Sequence, residues 1–155
     1  MIILFDLDGT LGNLYGRKNW LEELRNEIPV YEDLEPLIDM KKLNEIAYKL
    51  KSVGVDFGVV TWLSMGASES YELITSMEKY RWCKKYIPFI TEFECQPYGT
   101  PKQTNYHNRK CILIDDNAEI RADFETPHRR KTFDANDDII AFLTNLYNDF
   151  CANCQ

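Results

Sequence analysis

"MIILFDLDGTL", residues 1–11, decides the fold. Ile2, Ile3, Leu4 and Phe5 run apolar without alternation, the pattern of a strand buried on both faces inside a parallel sheet. That strand delivers Asp6 and Asp8, one residue apart, into Gly9. Two carboxylates at such an exit either tie down a turn through side chain to backbone hydrogen bonds or carry chemistry. A second strong buried-strand signature, "CILIDDN" at 111–117, also ends in a pair of carboxylates, Asp115 and Asp116.

Working outward, "VDFGVVT" (55–61) reads as another buried strand, "FITEFE" (89–94) as a weaker one and "RKTFDA" (130–135) as the last. Between them lie helical patterns. "WLEELRNEI" (20–28) suits a short helix. Asp39 is placed to cap a helix whose Met40, Leu43, Ile46, Ala47, Leu50 and Val53 recur at helical spacing, with Gly54 just beyond its end. Ser68 is placed to cap a long helix reaching about Tyr86, stopped by Pro88. Tyr71, Ile74, Met77 and Met65 are expected in the core. Asn136 is placed to cap a final helix with Ile139, Ile140, Phe142, Leu143, Leu146, Tyr147 and Phe150 on one apolar face.

Apolar strands alternating with amphipathic helices imply an α/β fold, a Rossmann-like three-layer α/β/α sandwich with a mainly parallel central sheet. The 155 residues, 45% of them hydrophobic, suit a single domain over 1–155, in which 12–38 form a flap and a short helical insert. In such sheets ligands bind beyond the carboxyl ends of the strands. Asp6, Asp8, Thr61, Asp115 and Asp116 therefore converge on one edge.

Composition narrows the function classes. A formal net charge of −7 argues against extended binding of nucleic acid, but not against a small anionic substrate at a site holding a cation. No stretch approaches the roughly 20 apolar residues of a membrane span, and no secretory signal pattern is present, so a cytoplasmic location is expected. The five cysteines lack framework spacing and suit reduced thiols. Cys151 and Cys154 form a lone CxxC at the terminus, and His107, His128, "NRK" (108–110) and "HRRK" (128–131) read as loop or surface features.

Aspartates gathered at one point repel each other unless a cation balances them. A hard cation such as Mg²⁺ takes oxygen ligands, commonly one or two carboxylates with water and a phosphate oxygen. One carboxylate can then stay ionised as a nucleophile while another carries a proton. Gly9 allows close approach of backbone to phosphate. Backbone N–H groups in the loop through Gly9 and Thr10 can point at phosphoryl oxygens.

"DLDGTL" at 6–11, a strand ending in Thr61, a downstream lysine and "LIDDN" at 113–117 resemble the four ordered motifs of the haloacid dehalogenase superfamily, in particular its aspartate-nucleophile phosphatases. The resemblance runs from Ile2 to about Phe133. It implies that Asp6 attacks phosphorus to form an aspartyl-phosphate. Asp8 would protonate the leaving oxygen and then activate water. Thr61 and the lysine would bind the phosphoryl oxygens. Mg²⁺ would be held by the Asp6 carboxylate, the Asp8 carbonyl and the Asp115/Asp116 pair, with Asp116 favoured as the direct ligand. The dehalogenases of the superfamily lack the second aspartate as acid and base, so Asp8 points to phosphate esters.

Lys102 and Lys110 both precede the "CILID" strand. A strand of that length spans roughly 15 Å at about 3.3 Å per residue. Lys110, at its entry, should lie opposite the aspartates, and Lys102, after the exit of the preceding strand, should lie near them. The resemblance further implies a capless site, because 12–38 and 65–101 leave no room for the cap domains of many relatives. An open site accommodates a macromolecular end or a covering partner or second subunit. Tyr15, Arg17 and Trp20 on the flap, with Trp62 beside Thr61, could stack on a nucleobase and pair with a second phosphate. The expected substrate is a small phosphorylated molecule, with a nucleotide or a nucleic-acid terminal phosphate favoured. The competing expectation is a non-catalytic phosphate- or phosphoprotein-binding module on the same fold.

Overall fold

The computed structural model describes residues 1–106, 109–125 and 130–152. His107, His128, Cys154 and parts of both basic clusters lie outside them. The elements in chain order are β1 (Ile2–Phe5), α1 (Trp20–Arg25), α2 (Met40–Ser52), β2 (Asp56–Trp62), α3 (Glu69–Tyr86), β3 (Glu92–Gln96), β4 (Cys111–Asp115), α4 (Ala118–Glu125), β5 (Lys131–Asp134) and α5 (Ile139–Ala152). They build the α/β architecture expected from the strand and helix patterns.

β1 is buried along its whole length because it sits at the centre of a five-stranded sheet of order β3-β2-β1-β4-β5. Every pairing is parallel. Ile3 lies beside Phe57 and Ile112, Leu4 beside Gly58 and Leu113, and Phe5 beside Val59 and Ile114. Alternation along β1 therefore feeds two cores. Ile3, Phe5, Phe57, Val59 and Ile114 face α2, α5 and the Trp82 and Cys83 side of α3. Ile2, Leu4, Val60 and Leu113 face the opposite layer, where Phe124 of α4 and Tyr106 cover them.

This order creates a switch point. From β1 the chain winds outward through β2 and β3, then returns across β1 to β4 and β5. The connections on the two sides lie on opposite faces, so a crevice opens beyond the carboxyl ends of β1 and β4, where open α/β sheets place their ligands. The flap is anchored over it. Asn13 N–H donates to Glu35 O at 2.8 Å, Leu37 N–H donates to Leu11 O at 2.8 Å, and the Trp82 indole donates to Leu34 O at 2.7 Å.

Asp39 accepts from Lys42 N–H at 3.1 Å and Ser68 from Tyr71 N–H at 3.3 Å, as their positions predict. Four expectations need correction. α5 is capped by Asp138, which accepts from Ala141 N–H at 2.9 Å, and not by Asn136, whose amide donates to Asp134 Oδ1 at 2.8 Å. The third strand begins later than Phe89, because Phe89 and Ile90 turn into the core before Glu92 starts the pairing with Gly58. A short helix, α4, joins the elements expected from the sequence; Asn117 starts it by accepting from Glu119 N–H at 2.9 Å. Lastly, the buried face of α3 is Tyr71, Thr75, Lys79, Trp82 and Cys83, while Ile74, Met77 and the nearby Met65 are exposed. Among the described residues no helix is long and apolar enough to cross a membrane.

Candidate active site

Asp6 continues the pairing of β1 by one residue, its N–H donating to Ile114 O at 2.9 Å, and so lands beside the end of β4. The chain then folds around the Leu7 carbonyl, which accepts from the N–H groups of Leu11 at 3.0 Å and Gly12 at 2.8 Å. Gly9 enters this loop with φ +80°, and a Cβ there would run into the Tyr15 ring and lie 2.7 Å from Asp116 Oδ2. Only glycine fits without displacing the carboxylate. Thr10 ties the two loops together: its hydroxyl accepts from Asp116 N–H at 3.2 Å and donates to Asp116 Oδ1 at 3.4 Å.

Carboxylate oxygens of Asp6, Asp115 and Asp116 lie within 4.8 Å of one another. Lys102 balances two of them, with Nζ 2.6 Å from Asp6 Oδ1 and 2.7 Å from Asp115 Oδ2, all three groups being buried. Lys110 stands at the other end of the strands, where its carbonyl accepts from Ile2 N–H at 3.0 Å. Strand length thus separates the two lysines as expected.

Asp8 is held apart from that cluster by different partners. Its Oδ2 accepts from Lys79 Nζ at 2.6 Å and from the Tyr31 hydroxyl at 3.2 Å, whereas its Oδ1 is buried without a hydrogen-bond partner. Lys79 is fully buried and also donates to Thr61 Oγ1 at 3.0 Å and Trp62 O at 2.7 Å.

Burial and crowding shape the titrations. Burial, followed by the charge on Asp6 and against the pull of Lys102, raises Asp115 to about 6. Burial and then Asp6 also raise Asp116. Asp8 is raised by burial, which outweighs the opposing charge of Lys79, and Asp6 adds to the rise. Burial pulls both lysines down, but Asp8 holds Lys79, and Asp6 with Asp115 hold Lys102, above the ordinary lysine range.

The four aspartates and Lys102 line a cleft of about 350 Å³ with an aromatic and apolar rim that includes Tyr15, Trp62, Met65 and Tyr98. The Trp62 indole donates to Thr100 O at 2.7 Å, which fixes the ring 5.1 Å from the Tyr98 ring and 5.5 Å from Lys102 Nζ. Of the expected residues, Asp6, Asp8, Tyr15, Trp62, Lys102, Asp115 and Asp116 line the cleft. Thr61, Gly9 and Thr10 stand behind it, Thr61 turned toward Lys79 and Thr10 occupied with Asp116. Arg17 is not part of the lining; Glu23 holds its guanidinium through two hydrogen bonds of 3.0 Å, and Arg25, at the end of α1, lines the cleft instead. Trp20 stands edge-on to Tyr15 at 5.0 Å, outside the lining.

Lys79, Tyr31, Tyr98 and Arg25 are site residues that the sequence reading misses. For Lys79 a signal exists, because Tyr71, Thr75, Lys79 and Cys83 repeat every four residues and so share one helix face with an aromatic residue and a thiol. The arrangement gathers three carboxylates, Asp6, Asp115 and Asp116, whose oxygens could hold a hard cation, and keeps a fourth, Asp8, on a separate lysine. No family model matches this chain, and no curated protein matches its sequence.

Proposed function

We propose that this protein is a Mg²⁺-dependent phosphomonoester hydrolase of the haloacid dehalogenase superfamily, working through an aspartyl-phosphate on Asp6. The observation that carries this is the division of the carboxylates: Asp6, Asp115 and Asp116 share one small volume while Asp8, two residues from Asp6, is drawn away by Lys79. Oxygen donors within 4.8 Å of one another suit a hard divalent cation. Asp6, Asp115 and Asp116 would hold it, with the Asp8 carbonyl as the further expected ligand, and it would offset the charge of the phosphoryl oxygens.

Asp6 attacks phosphorus as the ester oxygen leaves and takes the proton of Asp8. Water then attacks phosphorus, giving a proton back to Asp8 as the bond to Asp6 breaks. Lys102, already against Asp6, screens charge that develops on the transferring group. Raised titration of Asp8 favours a carboxyl able to carry that proton. The aromatic rim and the Arg25 guanidinium favour a substrate with a flat ring and a second anionic group, a nucleotide or a nucleic-acid terminal phosphate. The free cysteines Cys83, Cys95 and Cys111 accord with a cytoplasmic enzyme.

Hydrolysis of p-nitrophenyl phosphate with and without Mg²⁺ tests this. Mg²⁺-dependent turnover that Asp6→Asn abolishes is expected. Metal-independent release of nitrophenol, or an active Asp6→Asn chain, would refute it. A panel of nucleoside monophosphates, 3′- and 5′-phosphorylated oligonucleotides and sugar phosphates tests the substrate, and preference for the sugars would refute the stacking rim.

A further inference from the structure

Lys79 has no counterpart in the chemistry so far assigned, although it is a charged side chain sealed completely inside the protein. Enclosing an ammonium group is costly unless every donor is used. Here Nζ has three oxygen partners: Asp8 Oδ2 at 2.6 Å, Thr61 Oγ1 at 3.0 Å and Trp62 O at 2.7 Å. It also stands 4.7 Å from the centre of the Tyr31 ring, whose hydroxyl donates to the same carboxylate oxygen. Lys79 from α3 and Tyr31 from the flap thus meet at one oxygen of Asp8, while Thr61 and Trp62 of β2 hold the Lys79 ammonium group. The other oxygen is buried and has no hydrogen-bond partner.

We infer that Lys79 is a positioning residue that fixes Asp8 by its Oδ2, so that the carboxyl group, held apart from the metal cluster, meets the leaving oxygen and, afterwards, the hydrolytic water. This rests on the proposed phosphatase chemistry and adds to it a division between the two lysines. Lys102 serves the attacking carboxylate, and Lys79 serves the proton carrier without touching substrate. Thr61, in turn, acts here as a partner of Lys79. A freely rotating Asp8 would exchange its two oxygens and swing toward the metal cluster, spoiling the distance that proton transfer needs. In the first step the proton leaves the Asp8 carboxyl for the departing oxygen as phosphorus bonds to Asp6. In the second, the Asp8 carboxylate takes a proton from water as the Asp6 to phosphorus bond breaks.

The test is a rapid-mixing measurement on Lys79→Met with p-nitrophenyl phosphate and Mg²⁺. Nitrophenolate leaves without needing an acid, so the first step depends little on Asp8, whereas the second needs it. A burst approaching one nitrophenol per chain is expected, followed by steady-state turnover slowed about 100-fold, with phosphorylated protein visible by intact mass. Alkyl phosphates, which need the acid, should lose the burst as well. A double-mutant cycle provides the second readout: in an Asp8→Asn background, Lys79→Met should change steady-state turnover by less than about threefold. That pair removes both charges together, and so stands in for the single variant should the latter not fold. Equal loss of burst and steady state, or additive losses in the cycle, would overturn the inference while leaving the phosphatase intact. A wild-type chain unable to hydrolyse the ester would overturn both.

Discussion

Replacing Lys102 by Met removes a cation bonded to both Asp6 and Asp115, and its cost can be worked from the site. The side chains of Lys102 and Asp115 are 4% and 2% exposed, so water cannot take over the screening. Removing one partner of a buried ion pair costs about 3–5 kcal/mol. The lower figure applies here because Asp115 can escape its charge: it titrates at about 6 already, against 3.8 for an ordinary aspartate, and loss of Lys102 drives it higher. Without metal at pH 7.5, Lys102→Met should therefore lower stability by about 3 kcal/mol, a fall in Tm of roughly 6–12 °C for a domain of this size. The same substitution frees the two carboxylates for a metal. Mg²⁺ at a hundred times its Kd should restore about 2.7 kcal/mol, and the gain should be larger in the variant than in the wild type. Hydrolysis should still be lost, because the charge facing the transferring phosphoryl group is gone. Thermal denaturation in EDTA and in a Mg²⁺ series reads all of this, with Lys110→Met expected within about 0.5 kcal/mol of wild type as the control. A Lys102→Met chain as stable as wild type in EDTA, or one that gains nothing from Mg²⁺, would refute the reasoning.

Protons and Mg²⁺ compete for the same carboxylates. Asp115 binds a proton in the folded chain up to pH about 6. Folding without metal is thus penalised increasingly as pH rises from 3.8 through about 6, and fully above it, while Mg²⁺ must displace that proton below about 6. The rise in Tm that Mg²⁺ produces should accordingly shrink between pH 7 and pH 5, and a constant rise would contradict the site. Gly9→Ala forces a side chain into a backbone at φ +80° and against the Tyr15 ring and Asp116, so it should cost about 2 kcal/mol by denaturant titration and reduce hydrolysis more than any comparable substitution on α1. Tyr98→Ala strips the ring packed on Trp62; KM for a nucleoside monophosphate should rise several-fold more than for an alkyl phosphate, and equal changes would remove the stacking role.

Why some of this is legible from residues alone has a physical basis. β1 and β4 declare themselves because a strand covered on both faces must be apolar at every position, and carboxylates that interrupt such a run mark its exit. Their adjacency then follows from parallel register: with Phe5 beside Ile114, the next residue of each chain is Asp6 and Asp115. Lys102 is separable from Lys110 because length along a strand converts directly into distance. α4 is hidden by its size, since a helix that buries only Phe124 has no periodicity to detect. At the start of α5, Asn136 and Asp138 are equally good capping types, and the choice depends on where the turn after β5 ends.

The harder lesson is on α3. A helix normally advertises its buried face by apolar spacing, and Tyr71, Ile74 and Met77 look like that face. The helix is instead rotated so that Thr75 and Lys79 point inward, because Asp8, brought there by β1, supplies the charge that makes an enclosed lysine stable. Nothing local to α3 records this. The partner lies 71 residues earlier, and it becomes visible only once the sheet has placed the end of β1 against the helix. A lysine spaced among buried positions is therefore informative only together with an unpaired carboxylate elsewhere at the same edge. In this chain the four aspartates at one sheet edge outnumber the single lysine expected beside them, and that imbalance of charge is the available reason to look for a second one.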